Sequence, residues 1–305
     1  MGRGLYGSMQ LAIPLSGLMY PQKRIGPAHI SSPRSFFDKK STAVLPFRFP
    51  GETDGAGRRA LLFWFFTEHY GTKDRGKMNE VERLLASGKP VVTVLMNGRP
   101  LALGWEAEHL PAILEAWHLG IRMGDAVAAV LLGDVNPSGK LSSSFPAVTG
   151  QCPVYCSHPS TGRPGSRSKF TSRYLDAPWD ALFPFGHGLS YTRFAYSDLR
   201  AEETADALEI AVRLKNTGER SGTEVVQLYT QDVAASLVRP VKELKDYRRV
   251  ELRPGEEREI RFTLPKKDLG FYDNDGQYRL EDGLFRIFVG GSSRETIAQE
   301  LCLRF

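Results

Sequence analysis

Leu208-Glu-Ile-Ala-Val-Arg-Leu214 sets an apolar side chain at every second position, the period of a strand with one face in a core. Val225–Tyr229, Ile260–Leu264 and Leu284–Val289 are further short apolar runs. Turn formers separate them at Asn216-Thr217-Gly218, Pro254-Gly255, Asn274-Asp275-Gly276 and Gly290-Gly291. Short strands at this spacing predict an all-β sandwich of immunoglobulin or fibronectin III type over residues 194–305. The pattern changes upstream. Val91–Met96 is a continuous apolar run bounded by Pro90 and by Asn97-Gly98, as in a strand buried on both faces of a parallel sheet. Glu80–Ala86 reads as a short helix. Met123–Leu132 reads as another, and Leu110, Ile113, Leu114 and Trp117 fall at the i, i+3, i+4, i+7 spacing of one helix face. Residues 80–193 are therefore read as α/β, with a long loop from Gly133 to Tyr191 too rich in Pro, Gly and Ser for regular structure. Residues 1–79 show no period. Ala60–Phe66 is their one dense apolar run, with only weak local signals for a strand.

Charge changes the picture little. The net +5 arises in the leader: residues 1–79 hold 12 Lys+Arg against 5 Asp+Glu, while the remainder balances at −2. No ordered basic face for phosphate is predicted after residue 80, so nucleic-acid binding is not expected. No run approaches the roughly 20 apolar residues that span a bilayer, so no membrane partner is expected. Gly7, Ser8, Gln10, Pro14, Ser16 and Gly17 interrupt the first apolar stretch and make it a poor signal-peptide core.

Local motifs are weighed against plainer readings. Cys152, Cys156 and His158 lack the second close pair of a closed zinc site, so unpaired thiols in a loop are the reading. Asn136-Pro-Ser-Gly139 lacks the frame of a phosphate loop and reads as a turn at a helix end. Asp273-Asn-Asp-Gly276 reads as a hairpin turn rather than a calcium loop. Ser190 lacks a nucleophile elbow. Trp117, Trp179, Phe183 and Phe185 suit a sugar site, but core packing is the default for aromatics.

Several strings, in order, resemble the C-terminal half of family 3 glycoside hydrolases. They are GKPVVTVLMNGRPLAL (Gly88–Leu103), Ala116-Trp117, GDVNPSGKL (Gly133–Leu141) with Phe145-Pro146, PVYCSHPSTGRP (Pro153–Pro164), Phe170–Asp176 and FPFGHGLSYTRF (Phe183–Phe194). VVQLYTQD (Val225–Asp232), RPVKELKDY (Arg239–Tyr247) and LRPGE (Leu252–Glu256) resemble the family's fibronectin III-like domain. The likeness covers about residues 80–305 and is nearest to the bacterial periplasmic β-glucosidase branch. Arg122, in Gly120-Ile-Arg-Met-Gly124, stands where the family commonly has an acidic residue. Residues 1–79 match nothing in the family, which makes a wrongly joined start one explanation of the leader.

The resemblance implies a partial α/β sandwich followed by a fibronectin III-like sandwich. It implies a retaining β-glucosidase-type activity on a β-glucoside or oligosaccharide, with no cofactor and a periplasmic or secreted setting. Such an enzyme needs two carboxyl groups about 5–5.5 Å apart. The nucleophile belongs to a barrel of about 250 residues, for which the three zones leave no room. The acid/base Glu belongs to a Glu-Ala-x-x-Arg kind of string that neither Glu52 nor Glu68 begins. The chain alone is thus expected to be inactive, and a family 3 barrel supplied in trans would be its partner. An accessory binding module and an inactive remnant stay open as alternatives. In the family the long loop runs toward the barrel mouth, so His158, Arg163, Arg173, Tyr174 and Asp176 are candidates for the rim of an outer sugar subsite, against the plainer reading that Arg173 and Asp176 pair with each other. Residues 194–305 are expected to be the stable part. A lone buried strand at 91–96, with its sheet partners missing, would leave 80–193 prone to aggregate.

Overall fold

The computed structural model describes residues 10–12, 62–66, 75–86, 88, 91–166, 168 and 170–305. Backbone contacts divide it into two compact units. One comprises Trp105–Val135 with the described residues up to Arg99, and the other Pro100–Gly104 with Asn136–Phe305.

The first unit is built on a four-stranded sheet of β1 (Gln10–Ala12), β2 (Leu62–Phe66), β3 (Val91–Leu95) and β4 (Ala112–Glu115), in the order β1-β4-β3-β2. β3 runs parallel to both neighbours, with Leu62 opposite Val91 and Leu95 opposite Glu115, and β1 closes the edge antiparallel to β4. Helices α1 (Arg75–Ala86), α2 (Gly104–His109) and α3 (Met123–Leu132) belong to the chain around these strands. The sequence reading needs three corrections. Buried strand β3 is paired on both sides rather than alone. The residues read as an irregular leader contain β1, β2 and the start of α1. The segment read as a helix near Leu110–Trp117 is strand β4. Its four residues are all buried, and a run covered on both faces fits a helical stripe as well as a strand when only two turns are available to compare. Trp117 also leaves helical space with a φ of +47°. The α3 reading holds. Val127 and Val130 face inward, and Gly133 ends the helix at φ +81° with its N–H on Val130 O, where a left-handed residue closes the last turn and glycine carries no Cβ penalty.

The second unit contains the sandwich. One sheet runs β13-β12-β7-β8 and the other β5-β6-β9, all antiparallel. Its strands are β5 (Phe194–Glu203), β6 (Ala207–Asn216), β7 (Gly222–Asp232), β8 (Glu243–Leu252), β9 (Glu257–Pro265), β12 (Gly283–Gly290) and β13 (Thr296–Leu303). A small hairpin, β10 (Phe271–Tyr272) and β11 (Tyr278–Arg279), lies between β9 and β12. The alternation read at 208–214 is realised: Leu208, Ile210, Val212 and Leu214 are buried against Val226, Leu228, Phe262, Ile287 and Val289. The Asp273 turn is this hairpin. Its carboxylate accepts from the Asp275 and Gln277 amides and pairs with Arg279.

The predicted turn at Asn216 ends β6 with a fully buried carboxamide. Its Nδ2 donates to Arg220 O and Leu252 O, and its Oδ1 accepts from Thr192 Oγ1 and Gly218 N. Removing it would leave several buried groups without partners, so Asn216→Ala is expected to lower sandwich stability by about 2–4 kcal/mol in urea unfolding. A loss under about 0.5 kcal/mol would mean that water reaches these groups.

Candidate functional site

The sandwich carries a long irregular segment whose two arms pair with each other. Leu141 N donates to His187 O, Gly186 N to Leu141 O, and Phe145 N to Phe183 O, at 2.7, 2.7 and 2.8 Å. Phe183 lies stacked on His187 and edge-on to Phe145, its packing role outweighing any sugar platform. Gln151 joins the arms further along. Its Oε1 accepts from Ala147 N and Val148 N, and its Nε2 donates to Pro178 O and Asp180 O.

Side chains then bind the arms to the sandwich. Asn136 donates to Ser221 O and accepts from Ser190 Oγ and Tyr191 N. The Asn-Pro-Ser-Gly turn is therefore a tie, and Ser190 is its donor rather than a nucleophile. Lys140 reaches Gly188 O at 3.0 Å and the buried Glu224 carboxylate at 2.9 Å. Burial pushes the Glu224 carboxyl up, and Lys140 opposes it. Burial, with Lys140 and Arg294 adding to it, lowers His187 to about 4, which keeps the imidazole neutral at ordinary pH.

Between the arms, residues 152–177 project as an excursion. His158 O accepts from Val241 N, and Pro159 bridges Pro240. Beyond it, Ser172 N donates to Arg163 O and Thr161 Oγ1 meets Ser172 Oγ at 3.0 Å. All five rim candidates, His158, Arg163, Arg173, Tyr174 and Asp176, lie exposed on this excursion. Among the described residues no hydrogen bond or ion pair joins any two of them, Arg173 and Asp176 included. Phe170, Leu175 and Trp179 are exposed beside them at 72%, 94% and 44%. Cys152 and His158 are exposed, whereas Cys156 turns its thiol toward Ser293 and Lys242. No metal-binding group occurs among the described residues.

A second polar feature, in the sheet of the first unit, has no counterpart in the sequence reading. Glu115 ends β4 at 3% exposure, level with Leu95, on the sheet face that also carries Thr93 and Asn97. Its Oε1 accepts from Trp117 N at 2.9 Å, which holds Trp117 in its left-handed conformation. Thr93 Oγ1, Asn97 Oδ1 and Glu115 Oε2 have no hydrogen-bond partner among the described residues. Burial raises Glu115 to about 7, although the Trp117 amide and the Asn97 carboxamide favour its anion. The signal in the sequence is a Glu set in the apolar run Ala112–Trp117. Arg122, by contrast, pairs with Asp125 at 2.6 Å with both side chains exposed, a pair of small energetic weight.

A seven-stranded antiparallel sandwich with a loop pinned along it is thus preceded in sequence by an α/β unit with a mostly parallel sheet. Residues 69–191 match the glycosyl hydrolase family 3 C-terminal domain, and residues 224–293 match a fibronectin type III-like domain. Over residues 69–191 the chain carries the C-terminal domain of glycoside hydrolase family 3. The match takes in residues 69–79, the last eleven of the segment read as unrelated leader. A periplasmic β-glucosidase of Salmonella typhimurium is 46% identical over 220 residues, covering 70% of this chain and 29% of that protein. A β-xylosidase of Formosa agariphila is 43% identical over 218 residues, covering 70% and 30%. The β-glucosidase of Listeria innocua, solved with glucose, superposes with a TM-score of 0.73 at 38% identity, covering 79% of this chain and 36% of that one. The chain thus spans about a third of the length of the relatives it matches.

The excursion is expected to be cut first by trypsin, at Arg173, since Pro164 protects the bond after Arg163, with 141–151 and 178–193 staying bound to the sandwich after the nick. Release of 141–151 in size-exclusion chromatography would contradict this. Glu115 gives a pH signature in the first unit. Its contribution to stability is complete below its ordinary 4.5 and is lost as pH rises through about 7. Glu115→Gln is expected to gain about 3 kcal/mol over the parent at pH 8 and nothing at pH 4. Parallel stability curves for the two proteins would show that Glu115 ionises normally.

Proposed function

We propose that this chain is the non-barrel part of a retaining β-glucosidase-type enzyme, and that its excursion at 152–177 forms the outer rim of a sugar subsite completed by a family 3 barrel. One observation carries the reading. The excursion is anchored at both ends by satisfied hydrogen bonds, yet it displays His158, Arg163, Arg173, Tyr174 and Asp176 next to exposed Phe170, Leu175 and Trp179. Polar donors and acceptors beside aromatic and aliphatic faces are what a pyranose ring requires, since its hydroxyls need partners and its C–H faces need cover. The relatives, a β-glucosidase and a β-xylosidase, agree on a β-linked sugar and differ on which one. Residues 80–193 are taken as the family's α/β part and 194–305 as the fibronectin-like part.

The chemistry itself comes from elsewhere. Neither the nucleophilic Asp nor the acid/base Glu of the family has a recognisable position here, and Glu52 and Glu68 lie outside the described residues. The excursion contains a single carboxylate, Asp176, so it cannot by itself supply the pair that shares a glycosidic bond. On this reading the chain binds and orients sugar only when a barrel supplies both groups.

The assay is hydrolysis of an aryl β-D-glucoside by the purified chain, with and without a separately expressed family 3 barrel. No turnover alone and turnover with the barrel is expected. In that reconstituted enzyme, Arg173→Ala and Asp176→Asn are expected to raise KM about tenfold, the loss of a charged hydrogen bond to a hydroxyl, with kcat little changed. Turnover by the chain alone would overturn the assignment of the chemistry to the barrel. An unchanged KM in both variants would remove the rim role.

A further inference from the structure

The thiol of Cys156 and the amine of Lys242 lie in one half-buried cluster that the sugar reading does not use. Pro159 bridges Pro240 antiparallel, and Val241 N donates to His158 O at 2.9 Å. Continuing that register brings position 242 level with 157, one residue from Cys156, where the chain turns. Both groups then converge on Ser293. Lys242 Nζ donates to Ser293 O at 2.7 Å and to Thr296 Oγ1 at 3.2 Å, and the Lys242 ammonium and the Ser293 side chain both act on the ionisation of the nearby Cys156 thiol. The rings of Phe288 and Tyr229 wall the amine at 4.1 and 5.6 Å from their centroids. Cys156 and Lys242 are both partly accessible, enough for a small oxidant.

The ionisation of the pair is inverted from its ordinary order. Burial lowers Lys242 to about 8, against the charges of Cys156 and Asp180. Burial holds the thiol above its ordinary range, against the backbone, the Lys242 ammonium and Ser293. Above pH 8 the amine is largely neutral, and so nucleophilic, while most of the thiol is still protonated.

We propose that Cys156 and Lys242 form an oxidative cross-link between the excursion and the segment just before β8, a sulfenamide made when a hydroperoxide oxidises the thiol. In the first step the thiolate sulfur attacks one peroxide oxygen. The S–O bond forms, the O–O bond breaks, sulfur is oxidised by two electrons, and hydrogen peroxide leaves as water, giving the sulfenic acid. In the second step the Lys242 nitrogen attacks that sulfur. The S–N bond forms, the S–O bond breaks, and the hydroxyl departs as water with a proton from the amine. The sum is one thiol, one amine and one hydrogen peroxide giving one sulfenamide and two waters. Lys242 is taken as the resolving group because it shares the half-buried cluster of Cys156, whereas Cys152 is exposed. The small thiolate fraction makes the first step slow and steeply faster with rising pH.

The test uses the full chain carrying Cys152→Ser, which removes a disulfide with the neighbouring thiol. The reduced protein is treated with hydrogen peroxide at pH 8.5, and its tryptic peptides are read by mass spectrometry. The expected product joins the peptides containing Cys156 and Lys242, lighter than their sum by two hydrogen atoms, with cleavage after Lys242 blocked. It should disappear on treatment with dithiothreitol, and in Lys242→Arg and Lys242→Gln chains whose circular dichroism matches the parent's. Its yield should fall at least tenfold between pH 8.5 and 6.5. Oxidation of Cys156 only to the sulfinic acid would overturn the proposal. So would a cross-link that persists in both Lys242 variants.

Discussion

A carboxamide with no access to water must find partners for its two N–H donors and its oxygen, and Gln227 finds them on three stretches of chain. At 3% exposure in the middle of β7, it donates to Gly186 O and to Gly291 O, and it accepts from the Tyr229 hydroxyl. Leaving such a group dry and unpaired would cost several kcal/mol. The sandwich can bury Gln227 only if the 182–193 arm and the turn after β12 both come to it. The geometry admits nothing larger at the contact. Gly186 has a φ of +78°, and a Cβ there would stand 2.0 Å from Gln227 Oε1, so glycine is required both for the conformation and for the space.

The other ties extend the same constraint along the segment. Peptide groups in irregular chain have no ladder to pair with, so each needs an individual partner. Asn136, Gln151 and Asn216 supply those partners with side-chain amides, which can donate and accept at once. Lys140 and Glu224 add a charged tie whose partners are nearly as buried as the amides. The result is a segment with little regular structure that is nonetheless held in place. Most of the excursion is exposed, and there Ser172 and Arg163 pair through the backbone while Thr161 and Ser172 pair through their hydroxyls. A loop held in this way displays side chains at defined positions, which binding needs more than it needs mobility.

This explains which parts of the molecule were legible in the sequence. The sandwich was, because a period of two in β6 reports directly which face is buried, and turn formers mark the strand ends. The loop was legible as a loop, because Pro and Gly exclude the alternatives locally. Its attachment was not. Gln227 and Asn136 look like any polar residues until the partner segment, tens of residues away, is placed. Strand β4 was misread for a related reason. Its burial comes from neighbours on both sides in the sheet, and β1 and β2 come from sequence that carried no readable period. The family strings located the excursion and its five candidates, since their order survives without any knowledge of contacts. They were silent on Glu115, whose character lies in its burial and not in its residue type.

Glu115 and Gln227 show two ways of keeping a polar group in a core. Gln227 is neutral, with both N–H groups and its oxygen in hydrogen bonds, so it fixes one arrangement of three segments at any pH. Glu115 is matched on one oxygen only, and a carboxyl in that position is accommodated by holding its proton. Below pH 7 it is an uncharged acid among apolar neighbours, with a proton to offer Asn97. Above it, the same residue is a charge without a countercharge among the groups that shift it, and the strand ends it joins are the ones that bear the strain. The sheet of the first unit is therefore the part of this chain whose stability is set by its surroundings, whereas the pinned loop and sandwich carry their own.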